Sequence, residues 1–360
     1  MYKEKISANQ ALMLVLAGGV GNIFVVIAVP AIKDAGRDGW ISVLLAYGIA
    51  ALIGLTLIQL GKRFPDKTFV QYLPIVIGKI PGKIAGLFYI IAFWVMTAHI
   101  LRVALELMKF FLPETPSVYV SILMSILMVY VMKKGFEVFS RTAEFFSITM
   151  IVLIFILILF ILPDLEWANL APVMENGVMP VIKGLRTQVP YAAETILFMA
   201  IWLPCLNDGK KATKALLIGM LISGILLTAL VAVNIAFAGI ELTPKQLYPV
   251  FYISSYIQIA NTFAGFEAIF MTLWLSTAYL ALQVFFYPPV VGLAQWLNLK
   301  DYKPLIIPMT IVIIALATVP SNVIEVLKVD TLKNPYVILP LSLLIPFVWV
   351  VSVIRKLDES

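Results

Sequence analysis

The stretch NQALMLVLAGGVGNIFVVIAVPAI, residues 9–32, decides the fold. It is long and apolar enough to cross a bilayer, because a hydrocarbon core about 30 Å thick needs roughly 20 such residues. Its centre nevertheless holds Gly18, Gly19, Val20, Gly21 and Asn22, a run that favours unwinding. Five spans later the stretch GLRTQVPYAAETILFMAIWLPCL, residues 184–206, carries Pro190, Tyr191, Ala192, Ala193, Glu194 and Thr195 near its middle. Non-helical backbone at membrane depth is tolerated only where protein or a watery cavity surrounds it. Interrupted spans at corresponding places in two halves of a chain point to a binding site near the midplane. The pair predicts broken helices 1 and 6 around a small-molecule site.

Composition agrees with a membrane protein. Hydrophobic residues make up 62% of the 360-residue chain, and charged residues only 13%. Mean hydropathy is +1.01. A soluble domain carries about 25% charged residues. Ten apolar stretches are long enough to span: 9–32, 41–60, 84–112, 117–132, 142–162, 184–206, 213–240, 264–297, 304–320 and 335–354. Such lengths exclude a β-barrel, whose strands are short and alternate in polarity. The expected class is an all-α integral membrane protein.

Lys and Arg set the orientation, since cytoplasmic loops carry their excess. With the N-terminus inside, 17 of the 26 fall on the cytoplasmic side and seven outside, Lys183, Arg186 and Lys333 among the seven. Arg102 and Lys109 lie within the third span. Both termini are therefore expected in the cytoplasm, and the net charge of +6 reports topology instead of nucleic-acid binding. The first span lacks a convincing cleavage site and is expected to be retained as a helix.

No linker or low-complexity tract divides the chain, so residues 1–360 read as one membrane domain. Five spans per half require the second half to insert upside down. The expected repeats cover about 9–162 and 184–354, related by an axis in the membrane plane. The segment Leu247 to Thr262, with Tyr248, Phe251, Tyr252 and Tyr256, reads as an interfacial helix, a lid, or an irregular loop.

Candidate site residues come next. Gly18, Gly19 and Gly21 let backbone approach a ligand, or let helices pack tightly; both readings stand. Asn22 adds a polar side chain at the same depth. Glu194 needs a partner, a proton or water, because an ionised acid in the bilayer centre costs a few kcal/mol. Pro190 removes a donor from the same turn and frees carbonyls beside that acid, which suits an ammonium group. Tyr191, Ala192 and Thr195 are neighbouring contacts; a structural ion pair is the competing reading for Glu194. In the third span His99, Arg102 and Glu106 share a face, and Arg102 and Glu106 can pair at i, i+4. They form an expected ion-pair or proton network. In the eighth span Glu267, Met271, Trp274 and Ala278 share another face, with Trp274 the candidate ligand contact.

Cys205 is the single cysteine and His99 the single histidine, so neither a disulfide nor a zinc site is expected. Nucleophile–base pairs, phosphate loops and cofactor motifs are missing too. An enzyme is not expected.

Several segments together resemble the B-subunit family of bacterial spore germinant receptors, within the amino acid–polyamine–organocation transporter superfamily. They are Ile6-Ser7-Ala8-Asn9-Gln10; Ala35-Gly36-Arg37-Asp38-Gly39-Trp40-Ile41-Ser42; Tyr256-Ile257-Gln258-Ile259-Ala260 followed by Glu267-Ala268 and Trp274; and Leu299-Lys300-Asp301-Tyr302-Lys303-Pro304-Leu305. The resemblance implies a ten-helix, leucine-transporter-like fold with a 5+5 inverted repeat. It also implies sensing of a small nutrient such as an L-amino acid, and assembly with A and C receptor subunits in the inner spore membrane. A proton-coupled secondary amino acid transporter, with Glu194 or His99 carrying the proton, is the alternative. A scaffold with a vestigial pocket is a third.

Overall fold

A computed structural model describes residues 5–21, 23–206, 209–256 and 266–357, with side chains except at 110, 266–270, 272, 273, 330 and 331. In lipid every backbone donor must be satisfied within its own segment, and the apolar stretches accordingly fold as helices. The first, α1 (Ala8–Val20), opens with a capping box. The Gln10 amide donates to Ser7 Oγ at 3.1 Å, and the Ser7 amide donates to Gln10 Oε1 at 2.9 Å. After turns over 23–27 the chain re-forms a helix as α2 (Ala28–Ala35). The first half continues with α3 (Gly39–Arg63), α4 (Phe69–Val76), α5 (Lys79–Phe111), α6 (Ser117–Lys134) and α7 (Phe136–Ile161).

The second half holds α8 (Met179–Trp202), α9 (Gly209–Leu242), α10 (Pro249–Tyr256), α11 (Phe266–Trp296), α12 (Lys303–Ala317), α13 (Val323–Lys333) and α14 (Leu339–Ile354). A π-helical turn, Asn334–Ile338, joins α13 to α14. Near its end α9 departs from helical geometry at Gly239, whose φ of 69° suits glycine.

Contacts between the halves come in exchanged pairs. α3 packs on α8, as α9 packs on α1. α1 lies against α7, as α8 lies against α14. α5 touches α12, as α11 touches α6, while α3–α9 and α5–α11 each join like positions. This reciprocity is what a five-helix unit repeated upside down produces. At the centre lies α8, buried at every position from Gln188 to Trp202. Both termini meet the ends of α3 and α8 on one side of the bundle: the Ile6 amide donates to the Cys205 carbonyl, and Arg63 to the Leu357 carbonyl.

Three expectations need correction. Helix 6 is not broken: α8 runs through Pro190 as one helix, although proline leaves the Arg186 carbonyl without its helical donor. In a protein interior neighbouring groups can satisfy such a carbonyl, so a proline need not interrupt the span. Helix 1 is broken, but after Val20, with turns at Gly21 and at 23–27; Gly18 and Gly19 lie inside α1. The last span, expected at 335–354, is longer: α13 precedes it and the apolar helix runs Val323–Ile354.

Seven helices among the described residues are long and apolar enough to cross a bilayer. A count of ten needs also α1 and α12, with 13 and 15 residues, and the charged α8. The stretch expected as an interfacial helix, lid or loop begins as α10; Ile257 to Thr262 lie outside the described residues.

Candidate functional site

Glu194 sits mid-way along α8 and is 2% exposed. Lys333, the last residue of α13, brings its Nζ to 3.0 Å from a Glu194 carboxylate oxygen. The same ammonium lies 5.9 Å from the centre of the Tyr191 ring, one helical turn from the acid. A buried acid is thus matched by a buried base on another element, with an aromatic face completing the cage. The structural ion pair, one of the readings of Glu194, is present.

Around this pair the end of α1 closes tightly. A Cβ added at Gly18 would meet Thr195 Oγ1 at 3.4 Å, and one at Gly19 would meet Ser223 Oγ at 2.7 Å. The glycines therefore serve close packing against α8 and α9. Where α1 unwinds, the Ile23 amide turns to the Val20 carbonyl. The Gly19 carbonyl receives the Tyr47 hydroxyl instead. The amides of Ile23, Phe24, Val26 and Ile27 all bond to backbone carbonyls within the break. These four amides are therefore not free donors. Asn22 lies outside the described residues. Tyr191 and Ala192 are buried on α8, and Thr195 Oγ1 has no hydrogen-bond partner among the described residues.

Trp274 belongs to a different wall. With Val25 and Val26 of the break, Glu106 of α5 and Tyr248, it lines a cavity of about 20 Å³. One water occupies a space of that order. Burial pushes the Tyr248 phenol up to about 12, and the Glu106 charge adds to the shift. Glu106 itself bridges two cations: Arg102 Nη2 at 2.7 Å and Lys109 Nζ at 2.9 Å. Arg102 also reaches the Ala317 carbonyl, tying α5 to α12. His99 is buried on the same helix. The described residues thus hold two polar clusters: Gly18, Gly19, Tyr191, Glu194 and Thr195 in one, and Arg102, Glu106 and Trp274 in the other. The Glu267 side chain is outside the description.

Sequence reading missed Lys333, Asn334 and the π-helical turn. A signal was available: Val326 and Lys333 are seven residues apart, which places them on one helical face. Val326 is buried like Lys333.

Among solved structures the fold is similar to that of MhsT in complex with L-phenylalanine, with a TM-score of 0.72 and 13% identity over 96% of this chain and 89% of that one. It is also similar to Mhp1, a nucleobase-cation-symport-1 family transporter in a closed conformation with bromovinylhydantoin bound. There the TM-score is 0.68 at 13% identity, over 92% of this chain and 75% of the other. Fold and apolar helices together define an integral membrane protein of the leucine-transporter-like fold class.

Sequence relatives narrow the class. The profile of the Spore_permease family, described as spore germination protein, matches residues 5–324. Spore germination protein KB of Bacillus subtilis (strain 168) is 29% identical over 99% of this chain and 96% of its own length. Spore germination protein YndE of the same organism is 28% identical over 79% and 78%. The chain belongs to this spore germination protein family.

Proposed function

We propose that this chain is the germinant-sensing, transporter-like subunit of a spore germination receptor, binding a small nutrient, an L-amino acid, between helices 1 and 6. The observation that carries the reading is the Glu194–Lys333 pair, buried beside the unwound end of α1. A zwitterion matches it charge for charge. Its ammonium would replace Lys333 at Glu194, and its carboxylate would take the released Lys333, so no charge is left buried alone. Tyr191, Ala192 and Thr195 would line the contact, with Gly18, Gly19, Gly21 and Asn22 across from them. Trp274 and the Arg102–Glu106 cluster with His99 would border it from helices 8 and 3.

Exchange of partners at Lys333 would bias the position of α13 and the π-helical turn, since a ligand shifts states only by binding them unequally. Partner A and C subunits would read that shift in the inner spore membrane. The Lys and Arg asymmetry and the shared side of both termini support a cytoplasmic location for both ends.

Equilibrium binding of a panel of L-amino acids and sugars to the purified chain tests the reading. At least one L-amino acid should bind, and Glu194→Gln should weaken it by tenfold or more, about 1.4 kcal/mol. Equal affinity of both proteins for every solute removes Glu194 from the site. Saturable, pH-driven uptake by the chain alone in proteoliposomes would instead favour a proton-coupled transporter.

A further inference from the structure

An open cleft of about 520 Å³ lies between three helical elements on the side of the bundle away from both termini. Asp34 of α2 forms one wall, Lys183, Arg186 and Thr187 of α8 the second, and Asn334 and Tyr336 of the π-helical turn the third. Small-molecule sites commonly measure roughly 300–1,000 Å³. Helices, not loops, therefore frame a space of ligand size.

Its chemistry is lopsided. Lys183 and Arg186 stand one turn apart on the same face of α8. Neither takes part in an ion pair among the described residues. The single acid of the wall, Asp34, accepts a hydrogen bond from Thr187. Two cations against one acid leave one positive charge over. Asn334 adds a second, independent observation. It is 1% exposed, and both atoms of its amide lack a hydrogen-bond partner among the described residues. An orphaned buried polar group costs about 1–3 kcal/mol, so such groups are expected to meet a partner.

We propose that this cleft is a second binding site, for a small solute bearing a carboxylate. Lys183 and Arg186 hold the carboxylate, Asn334 donates to it or to an adjacent polar atom, and Asp34 receives an ammonium when the solute is a zwitterion. The site goes beyond the Glu194 reading and stands without it. It also adjoins it, because Asn334 follows Lys333 in the chain, and an occupant would touch the element that neutralises Glu194.

Labelling of a reporter thiol tests the proposal. Leu332 lines the same cleft and is exposed. Leu332→Cys in a Cys205→Ser background, in nanodiscs of neutral phosphatidylcholine, is reacted with N-ethylmaleimide. Propionate or L-alanine should slow the reaction about fivefold at about four times its dissociation constant, as occupancy requires. Alaninamide, which lacks the carboxylate, should not. Lys183→Gln with Arg186→Gln should abolish the protection. The proposal is overturned if neither carboxylate protects, if alaninamide protects equally, or if protection survives loss of both cations. Slowing that needs phosphatidylglycerol and no solute would overturn it too, by assigning the cleft to a lipid headgroup.

Discussion

Lys333 reaches Glu194 across the bundle, Nζ to carboxylate oxygen at 3.0 Å, with both side chains withdrawn from solvent. Removing one member of a buried pair strands the other, at a cost of about 3–5 kcal/mol. Glu194→Gln and Lys333→Met should therefore each lower the thermal unfolding midpoint of the purified protein sharply. The double variant should lose less than the two singles added together, by more than about 1 kcal/mol. Strict additivity would mean that the pair contributes no coupling.

Tyr191 contributes through its ring face. A cation over an aromatic ring gains about 0.5–2 kcal/mol, more when desolvated. Tyr191→Phe keeps the face and should retain the part of the stability that depends on Lys333. Tyr191→Leu should lose an amount in that range, and only while Lys333 is present. If Lys333→Met leaves the Leu penalty unchanged, the ring acts by packing alone.

Gly19 tests close approach. A side chain there would press on Ser223 Oγ at 2.7 Å, with Thr195 Oγ1 at 3.4 Å. Overpacking a fitted interior costs about 1–3 kcal/mol. Gly19→Ala should be destabilising by that order, and Ser223→Gly should recover much of it. Gly48 faces open space and is exposed, so Gly48→Ala serves as the neutral control. Equal midpoints for the two alanine variants would refute the packing role.

How far the fold could be read from residues depended on which forces act locally. The apolar runs announced the helices because satisfying backbone donors in lipid is a local demand. Glycines 18, 19 and 21 pointed to the right helix to unwind, yet Gly18 and Gly19 serve contacts with Thr195 and Ser223. The turns follow at Ile23 to Ile27, a stretch of mostly β-branched residues with weak helix propensity. Pro190 misled, since the consequence of its missing donor depends on packing that a linear reading does not see. α4 falls between the expected spans 41–60 and 84–112 and was not anticipated, though Thr68 and Gln71 form a capping box and Phe69, Tyr72, Leu73 and Val76 share its buried face. Of the candidate site, Arg102–Glu106 was legible as an i, i+4 pair. The partner of Glu194 was not, because that pairing exists only once two helices far apart in the sequence meet.

The cluster on α5 grades the value of burial within one acid's partners. Glu106 bridges Arg102, whose side chain is 9% exposed, and Lys109, which is 47% exposed. An exposed partner contributes about 0.2–1 kcal/mol, because water and salt already screen it. Lys109→Ala should thus lower stability only slightly, and less still at high salt. Glu106→Gln should cost several times more, since it leaves the Arg102 guanidinium in the interior without its carboxylate. Arg102→Met should be comparably severe, and combining it with Glu106→Gln should relieve part of the loss. Unfolding midpoints for these four variants at two salt concentrations decide the matter: if Lys109→Ala proved as damaging as Glu106→Gln, exposure would not be what ranks the two bridges.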